Sequence, residues 1–212
     1  MSGLVGIDVG GTFTDLFYAG DERRPPVVLK VPSTPHDPSD GLLASLRAAS
    51  LDPSDIAALL HGTTIATNAL IERRGARTVL VTTAGFRDVL ELGRRDRPHM
   101  YGLTGVHVPL VPRDLRYEVR ARMDCTGAVL VPLDETELRR LGEALRDCDA
   151  ESVVISFLHA YANPAHEMRA KAILAEINPA WEIVASSEVL REYYEFERTS
   201  TAVVQGYLQP LV

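Results

Sequence analysis

The stretch Val5-Gly6-Ile7-Asp8-Val9-Gly10-Gly11-Thr12-Phe13-Thr14-Asp15-Leu16-Phe17 constrains this chain more than any other. Apolar, β-prone residues flank a glycine pair, which predicts two short strands folded back on a tight turn. Gly10-Gly11 can supply positive φ angles at little steric cost. With Gly11-Thr12 as the loop, Asp8 falls directly across the ladder from Asp15. Facing carboxylates repel, so this register needs a cation or a ring of donors between them, and a magnesium ion held through water would serve. The bend also bares backbone N–H groups, to which Thr12 and Thr14 add hydroxyls, so it suits a phosphate. On residue chemistry alone, a plain hairpin with a polar tip stands beside that reading.

A second stretch runs Ile56-Ala57-Ala58-Leu59-Leu60-His61-Gly62-Thr63-Thr64-Ile65-Ala66-Thr67-Asn68-Ala69-Leu70. It predicts an apolar strand leading into a helix, with Thr63 or Thr64 as the cap. Ligands of open α/β sheets gather at the carboxyl ends of strands, and a helix N-terminus there offers free N–H groups to an anion. The alternative is that Thr64 only caps and His61 fills a polar corner.

Asp8-Val9-Gly10-Gly11-Thr12-Phe13-Thr14-Asp15 resembles the first phosphate motif of the ATPase superfamily of sugar kinases, heat-shock proteins and actin. With Phe-Thr-Asp after the Gly-Gly-Thr, it is similar to the hydantoinase A and 5-oxoprolinase family in particular. His61-Gly62-Thr63-Thr64, Thr67-Asn68-Ala69-Leu70 and Gly75-Ala76 resemble a long signature of that family. The resemblance implies an α/β fold, a mixed sheet flanked by helices like the ribonuclease H-like N-terminal half of an actin-like ATPase. It implies ATP and Mg2+ as cofactors. Asp8 and Asp15 become the catalytic carboxylates, with Asp8 holding magnesium through water. Gly10, Gly11, Thr12 and Thr14 become phosphate contacts, and His61, Gly62, Thr63, Thr64 and Asn68 the second wall of the cleft. In this family ATP activates a stable carbonyl, either a cyclic amide before ring-opening hydrolysis or a ketone's enol before carboxylation.

The rest of the chain alternates strands and helices. Val27 to Val31 reads as a strand, and Asp37 or Ser39 caps a helix with Leu42, Leu43, Leu46 and Ala49 on one face. Thr78 to Thr82 is a buried strand, followed by a turn and a short helix with Phe86, Val89 and Leu90 inward. Gly93-Arg94-Arg95-Asp96-Arg97-Pro98 carries three arginines, Arg94, Arg95 and Arg97, able to clamp an anionic substrate group bidentately or to form a solvated loop. The family has Gln where Arg95 stands. Residues 103–113 predict a surface crossing rich in Gly and Pro. Leu115 to Met123 alternates, with Leu115, Tyr117, Val119, Ala121 and Met123 on one face and Arg116, Glu118, Arg120 and Arg122 on the solvated other.

Asp134 and Glu137 predict a capping box. Val153 to Leu158 predicts a strand buried on both faces, with His159 and Tyr161 at its tip and Asn163-Pro164 opening the next helix. The family has a similar Phe-Leu-His-x-Tyr-x-Asn-Pro, which brings His159 and Tyr161 in as substrate candidates. Trp181 to Ala185 is a last strand. Glu197-Arg198-Thr199-Ser200-Thr201 resembles the family segment leading into its larger domain, while Gln205-Gly206-Tyr207 departs from its usual Asn-Ala-Tyr. Residues 1–190 are thus expected to form the family's N-terminal domain, and 191–212 to begin the next.

The net charge of −7, from 22 basic and 29 acidic side chains, argues against a general nucleic-acid binder. No apolar stretch is long enough to span a bilayer. Cys125 and Cys148 lack metal-site spacing and are expected as free thiols in the cytoplasm. The expected function is the N-terminal part of an ATP-dependent hydrolase of cyclic amides of the hydantoin or 5-oxoproline type. Two alternatives are the ATP-using subunit of an acetone or acetophenone carboxylase, and a non-catalytic nucleotide-sensing or assembly domain. The resemblance also implies a further catalytic domain, a hydantoinase B-type subunit and an oligomeric complete enzyme. Beyond Val153 the only glycine is Gly206, so a second phosphate turn is not recognisable there. Alone, these residues are expected to be inactive.

Overall fold

The structure is a computed structural model that describes residues 3–20, 25–34, 37–94 and 108–211. The chain forms two compact units, Met1–Glu72 and Arg73–Val212.

In the first unit β1 (Gly3–Val9), β2 (Phe13–Ala19), β3 (Val27–Pro32), α1 (Pro38–Ala48), β4 (Ile56–Thr63) and α2 (Ile65–Glu72) follow one another. The sheet order is β3-β2-β1-β4. The hairpins are antiparallel and β4 runs parallel to β1, so the sheet is mixed. Alternation decides its faces. Val5, Ile7 and Val9 of β1 and Leu16 of β2 turn inward, where Leu42 and Leu46 of α1 pack with Leu29 and Ala49. Burying each such aliphatic side chain contributes about 1.5–3 kcal/mol. Asp37 caps α1 by accepting the Ser39 N–H at 2.9 Å. Leu43 is 44% exposed rather than inward, because one further residue round the helix carries it off the apolar stripe.

The second unit contains β5 (Thr78–Thr83), α3 (Val89–Leu92), β6 (Arg116–Val119), β7 (Arg122–Met123), β8 (Val129–Val131), α4 (Glu135–Leu145), β9 (Ser152–Ser156), α5 (Ala165–Ile177), β10 (Glu182–Ala185), α6 (Ser186–Val189) and α7 (Glu195–Leu208). Its main sheet is parallel throughout, in the order β10-β9-β5-β6. Every residue of β5 and β9 is buried, as the apolar runs at Thr78 and Val153 require. The boundary between the two compact units falls at residues 72 and 73, and the C-terminal helix belongs to the second. α7 packs on β9 and β10, with Ala202 and Val203 in this unit's core. Gly206 permits that approach, since a Cβ there would lie 2.5 Å from Val154 Cγ2 and 2.8 Å from Ser152 Oγ.

Three expectations change here. The alternating run from Leu115 to Met123 is broken into β6 and β7, and Arg116 is buried rather than solvated. Its Nε donates to the Val111 carbonyl and its Nη2 pairs with Glu91, each at 2.9 Å. Only half of the capping box forms. Asp134 accepts the Glu137 N–H at 2.9 Å, but the Glu137 carboxylate accepts from the Arg120 N–H instead of reaching back. Asn163 accepts the Ala165 N–H at 3.0 Å, as expected of a residue opening α5. Cys125 and Cys148 are both free. Among the described residues no helix is long and apolar enough to cross a membrane.

Candidate functional site

The first cluster is the bend between β1 and β2. Asp8 pairs with Asp15 in the ladder, and Asp15 pairs on its other side with Lys30. The Lys30 ammonium lies 3.2 Å from Asp15 Oδ1. It supplies the cation that facing carboxylates need, a role the sequence did not reveal. Across the other edge of β1 the partner of Asp8 is Gly62, whose missing Cβ would lie 3.9 Å from Asp8 Oδ1. Asp8 is exposed and, of the two carboxylates, the one without that lysine. His61 pairs with Ile7, so its side chain leaves β4 on the face away from Asp8 and does not join it.

Neither glycine of the bend takes a positive φ; Gly85, Gly93 and Gly127 are the described glycines that do. Gly10 and Gly11 are needed for closeness instead. A Cβ on Gly10 would lie 2.9 Å from the Phe13 carbonyl, and one on Gly11 3.2 Å from Asn68 Nδ2. Thr12 is exposed at the tip. Thr14 is fully buried, with its Oγ1 3.0 Å from Ser33 Oγ, so its hydroxyl is engaged on the inner side of the bend. Ser33 was missed because a serine between prolines carries no local signal. It donates through Oγ to the Gly10 carbonyl at 2.7 Å.

α2 starts beside the bend. The Thr64 N–H donates to the Val9 carbonyl at 3.2 Å, and Thr63 Oγ1 donates to the same oxygen at 3.3 Å while accepting from the Ile65 N–H. Asn68 donates through Nδ2 to Thr64 Oγ1 at 3.3 Å. The structure therefore brings Asp8, Gly10, Gly11, Thr12, Gly62, Thr63, Thr64 and Asn68 together around one turn, with Lys30 beside Asp15.

The second cluster lies in the other unit, at the tip of β9. His159 holds a left-handed φ of 58°, which costs a non-glycine residue free energy and marks an over-determined position. Its N–H donates to Glu195 Oε1 at 3.0 Å. Tyr161 meets the His159 ring edge-on at 5.9 Å and lies 5.8 Å from the Arg198 guanidinium. Arg198 is fully buried and pairs with Glu195; it also donates to the carbonyls of Phe157 and Glu192 and to Ser186 Oγ. Next to it Glu167 is buried, accepting from the Phe157 N–H, both serine hydroxyls of α6 and the Ser187 N–H at 2.6–2.9 Å. Burial holds its carboxyl above the ordinary range, against the pull of those donors. Glu167, Ser186 and Ser187 had no sequence signal; Arg198 did, in the Glu-Arg-Thr-Ser-Thr resemblance. Arg94 is spoken for by Glu197 at 2.7 Å. Arg95 and Arg97 lie outside the described residues.

A model of the hydantoinase/oxoprolinase N-terminal region matches residues 4–178. An uncharacterised protein of Methanocaldococcus jannaschii is 42% identical over 212 residues, 98% of this chain and 31% of the relative. The caprolactamase subunit alpha of Pseudomonas jessenii is 38% identical over 220 residues, again 98% of this chain and 31% of the relative. Among solved structures, nucleotide-free acetone carboxylase superposes with a TM-score of 0.86 at 31% identity, covering 98% of this chain and 32% of that one. The ATP-dependent caprolactamase of Pseudomonas jessenii superposes with 0.81 at 36%, with the same coverage. The chain thus spans about a third of the length of these relatives.

Proposed function

The chain belongs to the hydantoinase/oxoprolinase N-terminal family, and from that premise we propose that it forms the N-terminal part of an ATP-dependent enzyme opening a cyclic amide. The observation that carries this reading is the bend itself. Asp8 stands exposed opposite Gly62, beside a turn where a Cβ on Gly10 would strike the chain and one on Gly11 would press on Asn68. Such a cradle fits a polyphosphate, whose oxygens need bare N–H donors at close approach. One free carboxylate fits magnesium, which keeps most of its waters and takes one or two protein oxygens.

In this reading Asp8 orients the hydrated magnesium, and the backbone of Gly10, Gly11 and Thr12 holds phosphate oxygens. Thr63, Thr64 and Asn68 support the turn from α2. Asp15, paired with Lys30, is the second carboxylate of the bend and shapes the field at Asp8. ATP supplies the phosphoryl group that turns a poorly leaving amide oxygen into a good leaving group. His159 and Tyr161, with Arg95 and Arg97, are proposed substrate contacts of a hydantoin- or 5-oxoproline-like ring. The complete enzyme is proposed to act in the cytoplasm as an oligomer with further catalytic polypeptide and a hydantoinase B-type subunit. Similarity to subunits of caprolactamase and acetone carboxylase supports a multi-subunit assembly.

A second reading, the ATP-using subunit of a ketone carboxylase, is favoured by the superposition on acetone carboxylase. The complete enzyme, assembled with the proposed B-type subunit, separates the two. Formation of ADP with hydantoin, 5-oxoproline or caprolactam, without bicarbonate, supports the hydrolase. Turnover only with acetone or acetophenone and bicarbonate supports the carboxylase, and magnesium-dependent ATP binding with no turnover on either set points to a non-catalytic domain.

A further inference from the structure

What fixes the peptide planes of the bend decides which way its donors face. Ser33 touches two of those planes. Its Oγ donates to the Gly10 carbonyl at 2.7 Å, and its N–H donates to the Thr12 carbonyl at 3.0 Å. The same hydroxyl lies 3.0 Å from Thr14 Oγ1, and Thr14 is buried on the inner face, as the ladder partner of Val9. The Gly10 carbonyl is therefore drawn toward the inner face. In a trans peptide the carbonyl and the following N–H point in opposite directions, and the described chain has no cis bond. The Gly11 N–H is thereby turned to the opposite face, the one that carries Asp8.

Between two glycines nothing local prevents that peptide from rotating, because neither residue has a Cβ to restrict it. We propose that Ser33 is a positioning residue, whose hydroxyl fixes the Gly11 N–H on the Asp8 face and so makes the bend a donor for a phosphate oxygen. The latch is itself held in place. A Cβ on Gly41, in the first turns of α1, would lie 3.1 Å from Thr14 Oγ1, so the helix approaches Thr14 closely enough to keep its hydroxyl beside Ser33. This inference rests on the ATP reading of the bend and deepens it.

The test follows the Gly11 amide by NMR in the 15N-labelled 212-residue chain during titration with Mg-ATP, for the parent, Ser33→Ala and Ser33→Thr. The parent's Gly11 amide is expected to shift on titration. Ser33→Ala should keep the Val5, Ile7 and Leu16 amide positions yet bind about fivefold more weakly, the worth of one hydrogen bond. Ser33→Thr, which keeps the hydroxyl, should return to within about twofold of the parent. If Ser33→Ala fails to fold, Ser33→Cys, with its weaker donor, gives the same comparison. Binding by Ser33→Ala as tight as the parent's, with the same Gly11 shift, overturns the proposal and leaves the ATP reading standing. A parent Gly11 amide that stays still up to about 20 mM Mg-ATP, a concentration that would half-fill even a very weak site, overturns both.

Discussion

Lys30 stands directly across the ladder from Asp15, its ammonium 3.2 Å from Asp15 Oδ1, and on the other side Asp15 faces Asp8. A row of one cation and two anions thus crosses three strands at the end of the sheet that carries the bend. Removing the cation in Lys30→Met leaves two facing carboxylates. The expected loss is below about 1 kcal/mol, since the pair is solvent-exposed, and it should shrink as salt is added. Urea melts at low and high ionic strength measure it. Asp15→Asn in the same background should restore the parent's stability, and a salt-independent loss would mean that Lys30 acts through packing on Phe13 instead.

Asp8 carries the proposed chemistry, because its side chain is exposed and lacks the lysine that pairs with Asp15. In the complete enzyme, Asp8→Ala is expected to abolish ATP turnover while leaving thermal melting unchanged. A rate within about threefold of the parent, less than about 1 kcal/mol of barrier, would remove Asp8 from the metal's surroundings.

The buried Glu167 predicts a pH signature. Its carboxyl sits above the ordinary value of 4.5, chiefly through burial, so the folded state holds its proton more tightly than the unfolded chain does. Its contribution to stability is full below the unfolded value and is lost as pH rises through the folded one. Glu167→Gln cannot titrate. The stability of the parent minus that of Glu167→Gln should therefore be largest near pH 4 and fall toward pH 8, read from urea melts across that range. A difference that grows with pH would mean that the serine donors and nearby Arg198 outweigh burial.

Gly75 belongs to the signature that reaches Gly75-Ala76, and its reason is steric. A Cβ there would lie 2.0 Å from Tyr207 Cε1, and the next residue's N–H donates to the Tyr207 carbonyl at 2.9 Å. Gly75→Ala is expected to destabilise by about 1–3 kcal/mol through overpacking. In a Tyr207→Ala background the same change should cost little, and a double-mutant cycle by urea melting checks the coupling.

Local rules carried the first unit far. A two-residue loop fixes register, so Asp8 opposite Asp15 was legible, and alternation gave the inward faces of Val5, Ile7 and Val9. What was not legible depends on partners distant in the chain. Arg116 looked solvated because its neighbours alternate, yet Glu91 and the Val111 carbonyl draw it inward. Nothing local showed that the Thr14 hydroxyl would be buried against Ser33, nineteen residues away. His61 sat in the right motif, but its pairing with Ile7 turns it to the other face.

The affinity of these 212 residues for nucleotide follows from the exposure of the bend. Thr12 and Asp8 are exposed, so a phosphate bound there keeps much of its hydration and each contact adds little. Adenine needs an apolar slot to contribute, and the groove beside Asp8 runs over the open sheet past Gly6, Phe17, Val28 and Leu60 rather than enclosing a ring. We expect the isolated chain to fold, to bind Mg-ATP no better than about millimolar, roughly 4 kcal/mol, and to hydrolyse neither ATP nor a cyclic amide. Titration calorimetry with Mg-ATP and a coupled ADP assay make the measurement. Micromolar affinity or steady turnover would mean that the chain by itself supplies both the adenosine pocket and the second set of phosphate donors.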